Sequence, residues 1–451
     1  MDLKILMLIL FVGAPFFTAV ACFLFQRNKK HVKFSAIIMS VLRLVCIFSF
    51  ANFLYEKGQI MEYGGKFLPE FGIRLNIHMS LATMTYLSIV DLVFIFSYLV
   101  LPAKHRFKSV IYSLLMMAQG LICLYVLNAN LFLLATLQIL IALTLYFLIK
   151  FSVNTSGLEW NSDSAVGIAE KIFLTYSLSA VFVLLWSISS GFSDASLQQQ
   201  QQQSASGINI VLWITGFILA LPIAPWSAWF NRALEVLPES ASVIIVLFVS
   251  SVLYKQMTIS SLSFLDSIEK FEKLFVILGS MSCFFSAFSL FAKGSKREIL
   301  GYVPKFYVGL ALICMGMHSR ESFKSAFLLC FILPVFTGLI LYISAMKLHG
   351  IKEHAFVGIF LAFLLGIPGT PLFQIFGIMI TRSVELGARF TIALGLIWFL
   401  YFVSNVHICR RIFLDDTLAP NTNSDLTLGG AKEMFFIIAM LLFVGLVVLV
   451  S

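Results

Sequence analysis

Five polar side chains lie inside long apolar runs or at their rims: Asp91, Gln138, Lys171, Lys305 and His407. A charge at the centre of a bilayer costs at least about 2.5 kcal/mol on insertion scales, so a chain keeps one only where something uses it. These are the groups able to take, hold or release a proton or a cation, and each also has a plainer reading. Asp91 falls mid-helix, where a protonated or paired carboxyl packs two helices together. Lys305 is near a helix end, where its stem can snorkel to the interface. His407 precedes Cys409 by two residues and adjoins Arg410 and Arg411, which suits an interfacial histidine better than a relay member. Gln138, like Gln119, Gln374, Thr175 and Asn405, can line a water wire or simply hydrogen-bond a neighbouring helix. Lys171 stands at the head of an apolar run and is kept as an ion-path candidate.

Two proline pairs interrupt apolar runs: Pro222-Ile223-Ala224-Pro225 and Pro368-Gly369-Thr370-Pro371. Proline in a helix interior removes a hydrogen bond and clashes with the preceding turn, at roughly 3 kcal/mol. Within lipid the freed carbonyls must be met by other helices or by a wet cavity. Paired breaks in corresponding parts of a long apolar chain point to an ion or substrate path.

The elements that must position these groups are transmembrane helices. The chain has 451 residues, 60% of them hydrophobic and 12% charged, with 47 Phe. That composition cannot cover a soluble domain, where about 25% is charged. The net charge of +9 does not point to nucleic acid, because the Lys and Arg sit in short loops between apolar runs. Fourteen runs are long enough to cross a bilayer, among them 3–25, 79–101, 208–230, 354–380 and 434–450. The first is read as an uncleaved helix, since Arg27, Lys29, Lys30 and Lys33 follow it rather than precede it.

Basic residues favour the odd-numbered loops, which places both termini on the non-cytoplasmic side. The expected fold is therefore all-α and integral to the membrane. Residues 1–107 hold helices one to three, and 108–270 the first five-helix repeat with a Gln-rich loop at 193–207. Residues 271–412 form a second, inverted repeat, and 413–451 a polar loop and last helix. Helices seven and twelve are the Pro-broken ones. The seven Cys all fall in apolar runs without a CxxC pair, and no phosphate loop or metal spacing is present. No metal and no cofactor are expected.

Five stretches carry a family resemblance. Leu221-Pro222-Ile223-Ala224-Pro225-Trp226-Ser227-Ala228-Trp229, with Pro238 and Ser242-Val243 beyond, resembles the Lys-Val-Pro-x-x-Pro signature of the antiporter-like membrane subunits of respiratory complex I and of Mrp cation/proton antiporters. Phe71 to Leu75, Lys171 to Tyr176, Lys296 to Tyr302 and Gly366 to Phe373 match the same family in order, and the M-type subunit looks nearest. The resemblance covers nearly the whole chain. It implies a subunit associated with proton or Na+/H+ translocation, without a redox centre, in the company of other membrane subunits, lipid, and protons or cations, and in a bacterial inner or mitochondrial inner membrane. At most it would be a non-redox part of a proton-translocating NADH:quinone oxidoreductase.

The family's line of ionisable groups is replaced here one by one. Its glutamate, two lysines, two histidines and last glutamate fall at or beside Gln138, Ala220, Ser251, Tyr307, Phe331 to Pro334, and Phe376. Amide, methyl and phenyl groups do not exchange protons near neutral pH. A degenerate relay follows, with two alternatives: a stand-alone transporter of a small cation or solute along an uncharged path, or a subunit kept for structure or assembly.

Overall fold

The computed structural model describes residues 3–24, 29–57, 61–68, 73–100, 108–153, 162–189, 207–236, 239–263, 271–291, 296–345 and 370–414. Runs of apolar residues without charge fold as helices because only a helix meets every backbone donor and acceptor internally. Those helices are α1 Leu3–Leu24, α2 Lys29–Lys57, α3 Leu81–Val100, α4 Lys108–Leu127, α5 Leu131–Val153, α6 Ser162–Ser189 and α7 Gly207–Ala220. They continue with α8 Ala228–Val236, α9 Glu239–Ser263, α10 Glu272–Ser289, α11 Lys296–Gly316, α12 Arg320–Ala345, α13 Pro371–Leu386 and α14 Ala388–Leu414. Eight of the described helices are long and apolar enough to cross a membrane.

The partition differs from the sequence-based one in two ways. The run 208–230 is not one helix but α7, a turn and the short α8. Residues 354–369 of the twelfth run, the Gln-rich loop and the last run, 434–450, lie outside the described residues.

The second difference is a two-stranded hairpin beside the otherwise all-helical bundle. Strand β1, Met61–Leu68, pairs antiparallel with β2, Ile73–Met79, from Met61 opposite Met79 to Leu68 opposite Ile73. Apolar residues alternate at Ile73, Leu75, Ile77 and Met79, the period-two pattern of a strand. Ile77 also bridges to Asn128, tying the hairpin to the α4–α5 connection.

Helix α9 is the axis of the assembly. Between Ser242 and Ile259, 94% of its residues are buried, with α3, α4, α5 and α12 packed around it. Outward faces carry large apolar side chains instead of charges: Phe17 is 74% exposed and Ile392 72%. In water such a surface would aggregate; against lipid it is the matching solvent.

Helices α10 and α11 approach closely through glycine. A Cβ built on Gly279 would stand 2.6 Å from the Gly309 carbonyl oxygen, and one on Gly309 would stand 2.7 Å from Cys283 Sγ. Small residues at this seam replace the hydrophobic drive that lipid does not supply.

Candidate functional site

Helix α7 stops at Ala220, and the chain turns through Leu221–Ser227 before α8 begins. Pro222 and Pro225 both lie in this turn, where neither needs an N–H; the Ala224–Pro225 peptide is cis. The expected break is present. At the second pair, Thr370 caps α13 by accepting the Phe373 N–H at 3.4 Å, with Pro371 as the first helical residue. Proline there is preset for helix entry. Pro368 lies outside the described residues.

A polar chain converges on the first break. Gln138 of α5, 1% exposed, donates to Ser179 Oγ at 2.7 Å and to the Tyr176 carbonyl at 3.3 Å, both on α6. The Ser179 hydroxyl donates in turn to the Gly216 carbonyl in the last turn of α7. The relay position at Ala220 is 1% exposed and lines the adjoining cavity. Lys255 and Gln256 of α9 line the same cavity, which measures about 20 Å³. That is room for about one water. Lys255, 5% exposed, donates from Nζ to the Val126 carbonyl at 3.2 Å.

Neither Lys255 nor Arg43 was among the candidates read from the sequence. Both were legible as charges inside apolar runs, but nothing in one dimension ranked them above Lys171. The structure reverses that order: Lys171 is exposed on α6, and its carbonyl accepts from Thr175 Oγ1. Arg43 answers the question of Asp91. The two are 1% and 0% exposed, and Arg43 Nη2 lies 3.2 Å from Asp91 Oδ1. Gln119 Nε2 donates to the same oxygen at 2.7 Å, while its Oε1 accepts from Tyr98 OH at 2.8 Å and Ser40 Oγ at 3.2 Å. The guanidinium also stands over the Phe11 ring, 5.1 Å from its centroid. Asp91 is thus the paired carboxyl that ties α2, α3 and α4 together.

The position of Ser251 is closed by hydroxyls: Tyr86 OH lies 2.6 Å from Ser250 Oγ and 3.0 Å from Ser251 Oγ. Tyr86 stacks on Tyr254 at 4.3 Å, whose hydroxyl bonds Thr83.

In the C-terminal half the relay positions are packed by rings. Phe376 is fully buried, 5.3 Å from Trp398 and 6.2 Å from Phe306, and Phe306 stacks on Tyr401 at 3.7 Å. Tyr307, Phe331, Ile332 and Leu333 are buried as well. Lys305 is mid-helix rather than near an end, 4% exposed, with Nζ 5.2 Å from the Tyr302 ring. His407 lies in the last part of α14, and its side chain is outside the described set. Among the described residues, no group of three His, Cys, Asp or Glu side chains could hold a metal ion.

Long apolar helices around a buried axial helix, with a proline-broken helix beside it, define an integral membrane protein. A chain of the Mrp complex from a Dietzia species shares the fold with a TM-score of 0.79 at 14% identity, over 94% of this chain and 82% of that one.

Sequence comparison then supplies the family. Residues 169–360 match the family described as NADH:quinone oxidoreductase/Mrp antiporter, TM. NADH-quinone oxidoreductase subunit N of Rickettsia felis is 26% identical over 373 residues, 76% of this chain and 77% of that protein. Subunit M of Buchnera aphidicola is 22% identical over 352 residues, 71% of this chain and 68% of that one. Relatives of both types appear, so the M type is not singled out. By name, both relatives are subunits of an NADH-quinone oxidoreductase.

Proposed function

We propose that this chain is a membrane subunit of a complex I-like or Mrp-type assembly whose own midplane relay is interrupted. The observation that carries this reading is the ring cluster of Phe306, Phe376, Trp398 and Tyr401, which fills the site where the family pattern has an ionisable group. A proton crossing from the first break to the second meets there packed aromatic rings in place of the family's ionisable groups. The division into inverted five-helix units, 108–270 and 271–412, is part of this proposal, as are a bacterial inner membrane and non-cytoplasmic termini. The pairing of the two proline breaks and the distribution of basic loops support them.

A stand-alone solute path is less favoured. The cavity beside the first break has room for about one water, too little for a polar solute.

Two measurements test the reading. Mild solubilisation followed by native electrophoresis and mass spectrometry should find the chain with other membrane subunits; a lone 50.5 kDa monomer or homodimer overturns it. In proteoliposomes carrying the assembly, Ala220→Lys with Phe376→Glu should raise proton flux through this subunit. Unchanged flux, with the assembly intact, refutes the interrupted relay.

A further inference from the structure

The buried pair of Arg43 and Asp91 leaves more hydrogen-bonding groups open than it closes. A guanidinium carries five N–H donors in a planar fork and pairs best with a carboxylate through two parallel bonds. Here the fork is not used. Arg43 Nη2 approaches Asp91 Oδ1 alone, at 3.2 Å, and the same oxygen also accepts from Gln119 Nε2 at 2.7 Å. Arg43 Nε, Nη1 and Nη2 and Asp91 Oδ2 are all buried without a hydrogen-bond partner. Both residues are at mid-span: Arg43 is the fifteenth of 29 residues in α2, and Asp91 the eleventh of 20 in α3. An unmet buried polar group is costly, a charged one more so, and native proteins meet such groups with protein atoms or with ordered water.

The open groups select what can meet them. An anion would serve the guanidinium but face the Asp91 carboxylate; a metal cation would serve the carboxylate but face the guanidinium. Donors and an acceptor orphaned within one ion pair call for a neutral molecule that both accepts and donates. The place is closely enclosed. Phe11 covers the guanidinium, its ring centroid 5.1 Å from Cζ, and Cys123 of α4 adjoins it. Tyr98 and Ser40 are already bound to Gln119 Oε1, at 2.8 Å and 3.2 Å. Water is the smallest molecule of the required kind, and a buried water makes about three hydrogen bonds.

We infer that the Arg43–Asp91 pair holds a bound water among α1, α2, α3 and α4, one that accepts an N–H of the guanidinium and donates to Asp91 Oδ2. The ion pair is then joined twice, directly through Nη2 and Oδ1 and through water at Oδ2. This site is separate from the cavity at the first break, whose lining includes none of Arg43, Asp91, Gln119 and Cys123. It depends neither on the state of the relay nor on the identity of the assembly.

X-ray radiolytic footprinting of the protein in its native membrane, read by mass spectrometry, tests the site. Hydroxyl radicals form from water in place and oxidise neighbouring sulfur, so a buried thiol reacts where water is bound beside it. Cys123, 1% exposed, should be oxidised severalfold faster than Cys314 of α11, which is 0% exposed. Equal rates for the two cysteines mean a dry pair and overturn the inference. In Arg43→Met/Asp91→Leu the rate at Cys123 should fall to that of Cys314, whose own slow rate reports that the variant is folded. A Cys123 that stays fast in a folded double variant places the water elsewhere and also overturns the inference.

A high-resolution cryo-electron-microscopy map supplies a second reading that needs no variant. Density within about 3.2 Å of both Asp91 Oδ2 and an Arg43 nitrogen is expected. A side-on fork of Arg43 on both carboxylate oxygens, with no density between them, overturns the inference.

Discussion

Removing Arg43 should be far more damaging than removing Arg43 and Asp91 together. The pair is 1% and 0% exposed with one contact of 3.2 Å, and Asp91 takes a second bond from Gln119. In Arg43→Met the carboxylate remains buried without its cation, and breaking one side of a buried pair costs roughly 3–5 kcal/mol. Loss of the guanidinium from the Phe11 face adds about 0.5–2 kcal/mol. Asp91→Leu removes the Gln119 acceptor and leaves the cation unpaired, at about 3 kcal/mol or more.

The double variant Arg43→Met/Asp91→Leu removes both charges and fills their volume, so it should fall within about 1.5 kcal/mol of the wild type. Its remaining deficit is the Gln119 amide, which loses its acceptor. The coupling between the two sites is then at least about 2 kcal/mol. Denaturant-midpoint measurements on the four proteins in one detergent give that coupling directly. Destabilisation of the double variant by the sum of the singles, with coupling under about 0.5 kcal/mol, refutes the account of Asp91 as a paired carboxyl.

The glycine seam should tolerate no side chain: Gly309→Leu forces α10 from α11 and should cost about 3 kcal/mol or more, read as loss of folded yield and of detergent stability. Tyr86→Phe removes the hydroxyl shared with Ser250 and Ser251 and should cost about 1 kcal/mol in the same assay while leaving the stack on Tyr254 intact. Phe376→Ala opens a cavity among Phe306, Trp398 and Tyr401; it should destabilise by about 3–5 kcal/mol and should not by itself create proton flux. Lys171→Ala, at an exposed site, should leave stability within about 0.5 kcal/mol and native assembly unchanged.

What the sequence determined by itself was the class of solvent and the places where helices break. Sixty per cent hydrophobic residues admit only a membrane interior, and the Pro222/Pro225 pair stops α7 at Ala220 because proline lacks the donor that the next turn requires. Both are local or additive properties, readable along one dimension. The hairpin at 61–79 was also written there, in the alternation Ile73, Leu75, Ile77 and Met79, but short strands are overshadowed in a chain of long apolar runs.

Which polar groups matter was decided only by lateral packing. Asp91 and Arg43 are 48 residues apart, and nothing local says that α2 and α3 bring them to 3.2 Å. Lys171 and Lys255 both stand within or beside apolar runs, yet α6 turns the first outward and the axial position of α9 buries the second. A helix period determines which residues share a face; what that face meets, lipid or protein, depends on neighbours distant in the chain, and in this protein that choice separates an exposed lysine from a buried one.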